Sequence, residues 1–197
     1  MNEFLRNLQI QRWDDHRYYH HSRINQSLHL VSAISFVIAY VLLFIDPVIA
    51  ALLGWGVSMT SRQAGHFFFE PKGYDHVNDV THEYKEEVKV GYNLFRKVVV
   101  MTIWALSPVL LLLDPTLFGL FAPHSGPLEF LRHVGLMWLG LAVAGLLFRT
   151  IQLFFIREPI IGIAWAVKIL TDPFHDILLY HKAPVRLLRG ERFAEAP

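Results

Sequence analysis

The chain contains no cysteine. This excludes disulfides, thiolate zinc sites, iron-sulfur clusters and a cysteine nucleophile, and it suits a reducing environment. Any metal must therefore be held by nitrogen and oxygen. A surplus of one charge is missing as well: 18 Lys and Arg face 17 Asp and Glu. With no stretch that interleaves basic and aromatic residues, nucleic acid is set aside as a partner. The opening MNEFLRNLQIQRW has no charged segment leading into an apolar one, so no cleaved signal peptide is expected. It reads instead as an amphipathic segment on a membrane face, with Phe4, Leu5, Leu8 and Trp13 turned to lipid. No repeat, linker or low-complexity tract divides the chain, and the closing GERFAEAP reads as a frayed tail.

What is present is apolar sequence in long runs. Hydrophobic residues make up 53% of the chain, and the charges gather between the runs, where a soluble domain would interleave them. Four runs predict membrane-spanning helices at 28–45, 47–69, 98–113 and 134–156. The first two are separated by Asp46-Pro47, and the third holds Pro108 and closes at Asp114-Pro115. A shorter run at 160–170 is expected to be an interfacial or re-entrant helix, able to roof a site or guide an acyl chain towards it. Asp172-Pro173 then predicts the start of a separate short helix, with Asp172 as cap. Lys and Arg populate the first 27 residues, the segment after the second run and the C-terminal stretch, but are absent from the turn at Asp46 and from 114–129. By the positive-inside rule both termini and the central loop are cytoplasmic. The expectation is one integral membrane domain over 1–197: an all-α bundle of four spans plus an interfacial helix.

On that topology nine of the 11 histidines share the cytoplasmic side: His16, His20, His21, His29, His66, His76, His82, His175 and His181. His124 and His133 fall at the opposite face. Simple exclusion from hydrocarbon explains part of this bias, but the local spacing adds to it. His16 and His20 are one helical turn apart, whereas His21 is turned away by about 100°. His29 lies one turn inside the first span, where a polar side chain normally faces inward and functions. In GHFFFE, His66 and Glu70 are again four apart, and a continuing helix would add Arg62 to the stripe. Imidazole and carboxylate together suit iron, manganese or zinc, and open positions suit non-haem Fe(II) with oxygen. The plainer alternative is an ion-pair ladder from Arg62 to Glu70. His76, His82 and Asp79 sit in a polar segment that also suits a solvated face, and TDPFHDILLYHKAP contributes His175 and His181.

At Tyr19-His20-His21, Asn25 and His29, followed by Gly65-His66, Phe69 and Glu70, the chain resembles the membrane-bound 2-hydroxy fatty acid dioxygenases of fungi and bacteria. Those proteins carry Tyr-His-His-Asn-Pro-x-Asn with a further His inside the first span, then Gly-His-x-x-Phe-Glu. Here Ser22-Arg23 stands where the family has Asn-Pro, and the likeness covers roughly residues 16 to 80. The resemblance implies Fe(II)-dependent α-oxidation, in which O2 is used to shorten a 2-hydroxy fatty acid by one carbon. It implies His20, His21, His29, His66 and Glu70 as metal-site candidates, to which spacing adds His16 and the shared cytoplasmic side adds His82, His175 and His181. Arg62 is expected to clamp the substrate carboxylate, and Tyr18 or Tyr19 to orient its 2-hydroxyl.

Two other readings stand beside this one. A di-iron hydroxylase or desaturase would use about eight ligands, but repeated His-x-x-His-His boxes are missing. A non-catalytic haem- or lipid-binding membrane protein would retain no metal-dependent turnover. The membrane would be the inner membrane of a bacterium or the endoplasmic reticulum of a eukaryote, with membrane lipids, O2 and an acyl lipid as partners.

Overall fold

The computed structural model describes residues 2–70 and 73–194, and within them the secondary structure is helical, with two isolated β-bridges and no strand. Helix α1 runs Glu3–Tyr19 and is capped by Asn2, whose side chain accepts from the Phe4 amide. Helix α2 (Arg23–Leu42) begins five residues earlier than hydropathy predicts, because Ser22 adopts an extended conformation and caps it. Asp46 then caps α3 (Pro47–Leu53) through the amides of Val48 and Ile49, with Pro47 in the first turn. The same carboxylate pairs with Arg132 at 3.1 Å.

The second predicted run, 47–69, is a continuous helical path with a defect in its middle. Between α3 and α4 (Thr60–Phe69) lies a π-helical turn, Gly54–Met59. There the hydroxyls of Ser58, Thr60 and Ser61 donate to the carbonyls of Leu53, Trp55 and Val57, so hydroxyl donors engage the carbonyls of a loosened ladder. A short α5 (His82–Val88), capped by Thr81, precedes α6 (Leu94–Leu113). Asn93 caps α6, and Asp114 ends it before accepting from the Thr116 and Phe118 amides in the turn that follows. Helix α7 (Pro127–Ile156) starts at a proline, seven residues ahead of the predicted span.

The C-terminal third departs most from expectation. The predicted 160–170 helix and the short helix after Asp172 are one element, α8 (Pro159–Tyr180), with Pro173 inside it. Pro173 leaves the Ile169 carbonyl without its usual donor, and next to it the Tyr40 hydroxyl donates to the Leu170 carbonyl at 3.0 Å. A last short helix, α9 (Ala183–Leu188), follows. The expected frayed tail is in part a strap: the Arg23 amide donates to Arg192 and the Ala194 amide to His21, tying residues 192–194 to the start of α2.

Three helices, α2, α6 and α7, are long and apolar enough to cross a membrane. Burial runs opposite to that of a soluble domain. Leu112, Phe148 and Phe155 lie exposed on α6 and α7, while Asn25, His29, Ser32, Asp172 and Asp176 are buried. The polar interior sits where α8 packs on α1 and α2, and where α2 packs on α4. Leu8, expected to face lipid, is buried, while Leu5 and Trp13 are exposed. The inward face of α1 is polar and pairs with α8 through Arg12, Asp15 and His16.

Glycine permits a close approach of α8 to α7. A Cβ at Gly162 would come within 2.7 Å of the Phe154 ring and 2.8 Å of the Thr150 carbonyl oxygen. Gly162→Ala therefore costs about 1–3 kcal/mol of overpacking, more than the gain of about 1 kcal/mol from alanine's helix propensity. Thermal unfolding of the variant in detergent should show a lower midpoint; an unchanged or raised one contradicts this packing.

Candidate metal centre

Three imidazoles converge at the polar core. His20 comes from the junction after α1, His29 from α2 and His66 from α4, and all three are buried. One ring nitrogen of each lies within 4.8 Å of the others. The ring centroids stand 4.1 Å (His20 to His29), 5.0 Å (His29 to His66) and 5.5 Å (His20 to His66) apart.

Two residues of the sequence motifs explain this meeting. Gly65 sits where α4 presses on α2: a Cβ there would overlap the Asn25 carboxamide oxygen, and would lie 3.2 Å from Asn25 Cγ and 3.4 Å from His29 Cδ2. Only glycine allows His66 and His29 so near each other. Asn25, fully buried, sends its Nδ2 donor to the Tyr19 carbonyl at 2.8 Å, and Gln26 Nε2 donates to the His20 carbonyl at 2.7 Å. The first turn of α2 thus holds the His20 loop over its own His29.

Each outer nitrogen has a different surround. His66 Nδ1 is 2.6 Å from Glu70 Oε2, an arrangement that orients the ring and leaves Nε2 as the lone pair. His20 Nδ1 is 2.8 Å from the Tyr180 hydroxyl, which also lies 3.0 Å from His16 Nδ1. If His20 held a metal through Nε2, its Nδ1–H would donate to the Tyr180 hydroxyl, which would in turn donate to His16 Nδ1. Burial lowers the His20 pKa well below its ordinary value, which keeps the ring neutral and its lone pair available. His29 Nδ1 lies 3.6 Å from Asp176 Oδ2, beyond hydrogen-bond range.

Chemically, the cluster fits a metal. His20 Nε2 and both His29 nitrogens are buried with no hydrogen-bond partner among the described residues. Buried ring nitrogens left without partners where three imidazoles meet could be satisfied by a bound cation. Three neutral nitrogen donors suit iron, zinc or manganese with coordination positions left open.

Other expected site residues lie elsewhere. Glu70 is outside the ligand cluster: α4 ends at Phe69, and the extended backbone at Glu70 lets its carboxylate engage His66 Nδ1 and, at 3.4 Å, Lys89. Arg62 makes no ladder to Glu70 among the described residues. Its guanidinium is held by Asp176 at 3.0 Å and Asp172 at 3.6 Å on α8. The Tyr19 hydroxyl donates to the Lys85 carbonyl, away from the histidines, and Tyr18 stacks edge-on with Tyr84. His21 pairs with Asp75 at 3.4 Å, His82 opens α5, and the exposed His181 donates to the Leu178 carbonyl. His16 and half-buried His175 line a cleft beside His20 with Arg62, Asp176 and Tyr180, outside the cluster of three.

The residues missed in sequence form one stripe on α8: Lys168, Asp172, Asp176 and Tyr180, each four after the last and all buried. Lys168 bridges Asp172 at 2.6 Å and also pairs with Asp15, and Asp172 faces Arg12 at 3.5 Å. The 3.6-residue period was there to be read, but only once the helix is carried through Pro173.

Fold and site together define an all-helical protein with three helices long and apolar enough to cross a membrane and a buried three-histidine cluster able to hold a metal. Comparison with protein-family models, with curated proteins and with solved structures finds no match to this chain.

Gly65→Ala should displace Asn25 and part α2 from α4, weakening metal binding about 10–100-fold. Competition with a chromophoric chelator measures this directly, and wild-type affinity in the variant contradicts the role assigned to the crossing.

Proposed function

We propose that this chain is an Fe(II)-dependent dioxygenase that shortens 2-hydroxy fatty acids by one carbon at the cytoplasmic face of a membrane. The observation that carries this reading is the buried cluster of His20, His29 and His66 with unpartnered ring nitrogens. Its residues coincide with the two motifs that resemble the 2-hydroxy fatty acid dioxygenases. The proposed topology has four spans, α2, the α3–α4 path, α6 and α7, with both termini inside, supported by the Lys and Arg distribution. The membrane is then the inner one in a bacterium or the endoplasmic reticulum in a eukaryote.

Bound iron would supply the capacity to reduce O2 while coordinating the substrate's oxygens. The protein's own contribution is placement. Glu70 fixes the His66 ring, and Tyr180 with His16 fixes the protonation of His20. The aspartates of α8 hold Arg62 beside the cluster, and burial keeps bulk water from the reacting carbon. One O2 per 2-hydroxy acid balances as the shortened acid, carbon dioxide and water. A two-metal hydroxylase is less well supported, since no second group of three donors gathers among the described residues.

Protein purified anaerobically in detergent should retain one iron per chain and convert 2-hydroxyhexadecanoate to pentadecanoate with O2. His66→Ala and His29→Ala should each lose the iron and the turnover. Two irons per chain would favour the hydroxylase, and a chain that takes up no metal after anaerobic reconstitution refutes the dioxygenase.

A further inference from the structure

The second half of α8 runs antiparallel to α2. The Tyr40 hydroxyl, near the far end of α2, meets the Leu170 carbonyl, Asp176 lies beside His29, and Tyr180 and Ala183 pack on Leu30. His181 and Lys182 keep helical backbone angles, so the helical path continues into α9, which also packs on α2. Residues 170–189 therefore lead from the level of Tyr40 to the Arg23 end of α2, where the strap of residues 192–194 begins.

One face of this path buries Asp172, Asp176, Tyr180 and Ala183 against the bundle. The opposite face is apolar and open. Phe174, Leu178, Val185 and Leu188 recur at helical spacing and are exposed at 52%, 75%, 51% and 89%. At about 100° of turn per residue, Lys182, Arg186 and Arg189 fall together on one flank of that strip. All three are exposed, and no ion pair or hydrogen bond of their side chains is found among the described residues. Glu191, the one acid between 177 and 194, lies instead 3.9 Å from Arg23. An apolar strip with unpaired cations along its edge suits a lipid whose chains cover the strip and whose headgroup carries a net negative charge. A zwitterionic headgroup brings its own ammonium and leaves the three cations without a counter-charge.

We propose that the end of α8 and α9 form a seat for an anionic phospholipid, with acyl chains against Phe174 and Leu178 and the phosphate on Lys182, Arg186 and Arg189. This rests on the membrane placement proposed above, which puts the Arg23 end of α2 at the cytoplasmic leaflet, and is independent of the dioxygenase reading. Through the strap, the seat borders the loop that carries His20.

The test equilibrates the full chain in detergent with equimolar phosphatidylglycerol and phosphatidylcholine of the same acyl chains, removes free lipid on an affinity resin and counts the retained lipids by mass spectrometry. Wild type should retain phosphatidylglycerol over phosphatidylcholine at least about tenfold, since each cation near an anionic headgroup contributes roughly fivefold. The combined variant Lys182→Gln, Arg186→Gln and Arg189→Gln should lose that preference, and salt at about 1 M should remove it from the wild type. Arg6→Gln with Arg96→Gln, which deletes two exposed cations elsewhere, should keep it. Equal retention of the two lipids by the wild type, an undiminished preference in the triple variant, or an equal loss in the control variant overturns the seat. If the triple variant fails to fold, the salt series and the control variant decide the matter. Displacement of the retained phospholipid by an equal concentration of 2-hydroxyhexadecanoate would give the strip to the acid and overturn its assignment to a phospholipid.

Discussion

The approach of α2 to α4 at Gly65 is the constraint on which the site depends. Imidazoles on separate helices meet only if the backbones come near enough, and a side chain at the crossing would hold them apart. At Gly65 the missing Cβ admits the Asn25 carboxamide, and that same side chain ties down the carbonyl of Tyr19 just before His20. One contact therefore fixes all three histidines: His66 through the helix that bears glycine, His29 through the helix that bears asparagine, and His20 through the loop that asparagine holds. The strap of residues 192–194 closes on this loop from the other side.

Around the cluster lies a shell of paired charges that would be costly to bury singly. The acids of α8 neutralise the cations of α1 and α4, and Lys168 joins Asp15 to Asp172. Against its desolvation, the charges of Asp15 and Asp172 raise the Lys168 pKa above the ordinary lysine value, so it stays a cation in the core. The shell holds α1 and α8 against the spans although neither is among the helices apolar enough to cross. Inside this shell the Nε2 of His20 and both ring nitrogens of His29 have no hydrogen-bond partner among the described residues.

Much of this was legible in the sequence, and the failures have physical causes. Hydropathy located α2, α6 and α7, but their N-terminal ends moved outward because Ser22, Asn93 and the Gly126-Pro127 pair start each helix in polar sequence that hydropathy does not count. His20, His29 and His66 were among the candidates, yet spacing alone could not separate them from His21, His175 or His181, since convergence is a property of three elements at once. Glu70 read as a ligand because i and i+4 share a helix face; the helix ends at Phe69, and its carboxylate serves the outer side of His66 instead. Breaking the chain at Asp172-Pro173 hid the α8 stripe and with it Tyr180.

The most direct test of the central claim is X-ray absorption at the metal edge of the anaerobically reconstituted protein. Three imidazoles in the first coordination shell, falling to two or to no bound metal in His29→Ala, is the predicted result. A shell with fewer than three imidazoles in the wild type, or one unchanged by that substitution, would contradict a metal centre built from His20, His29 and His66.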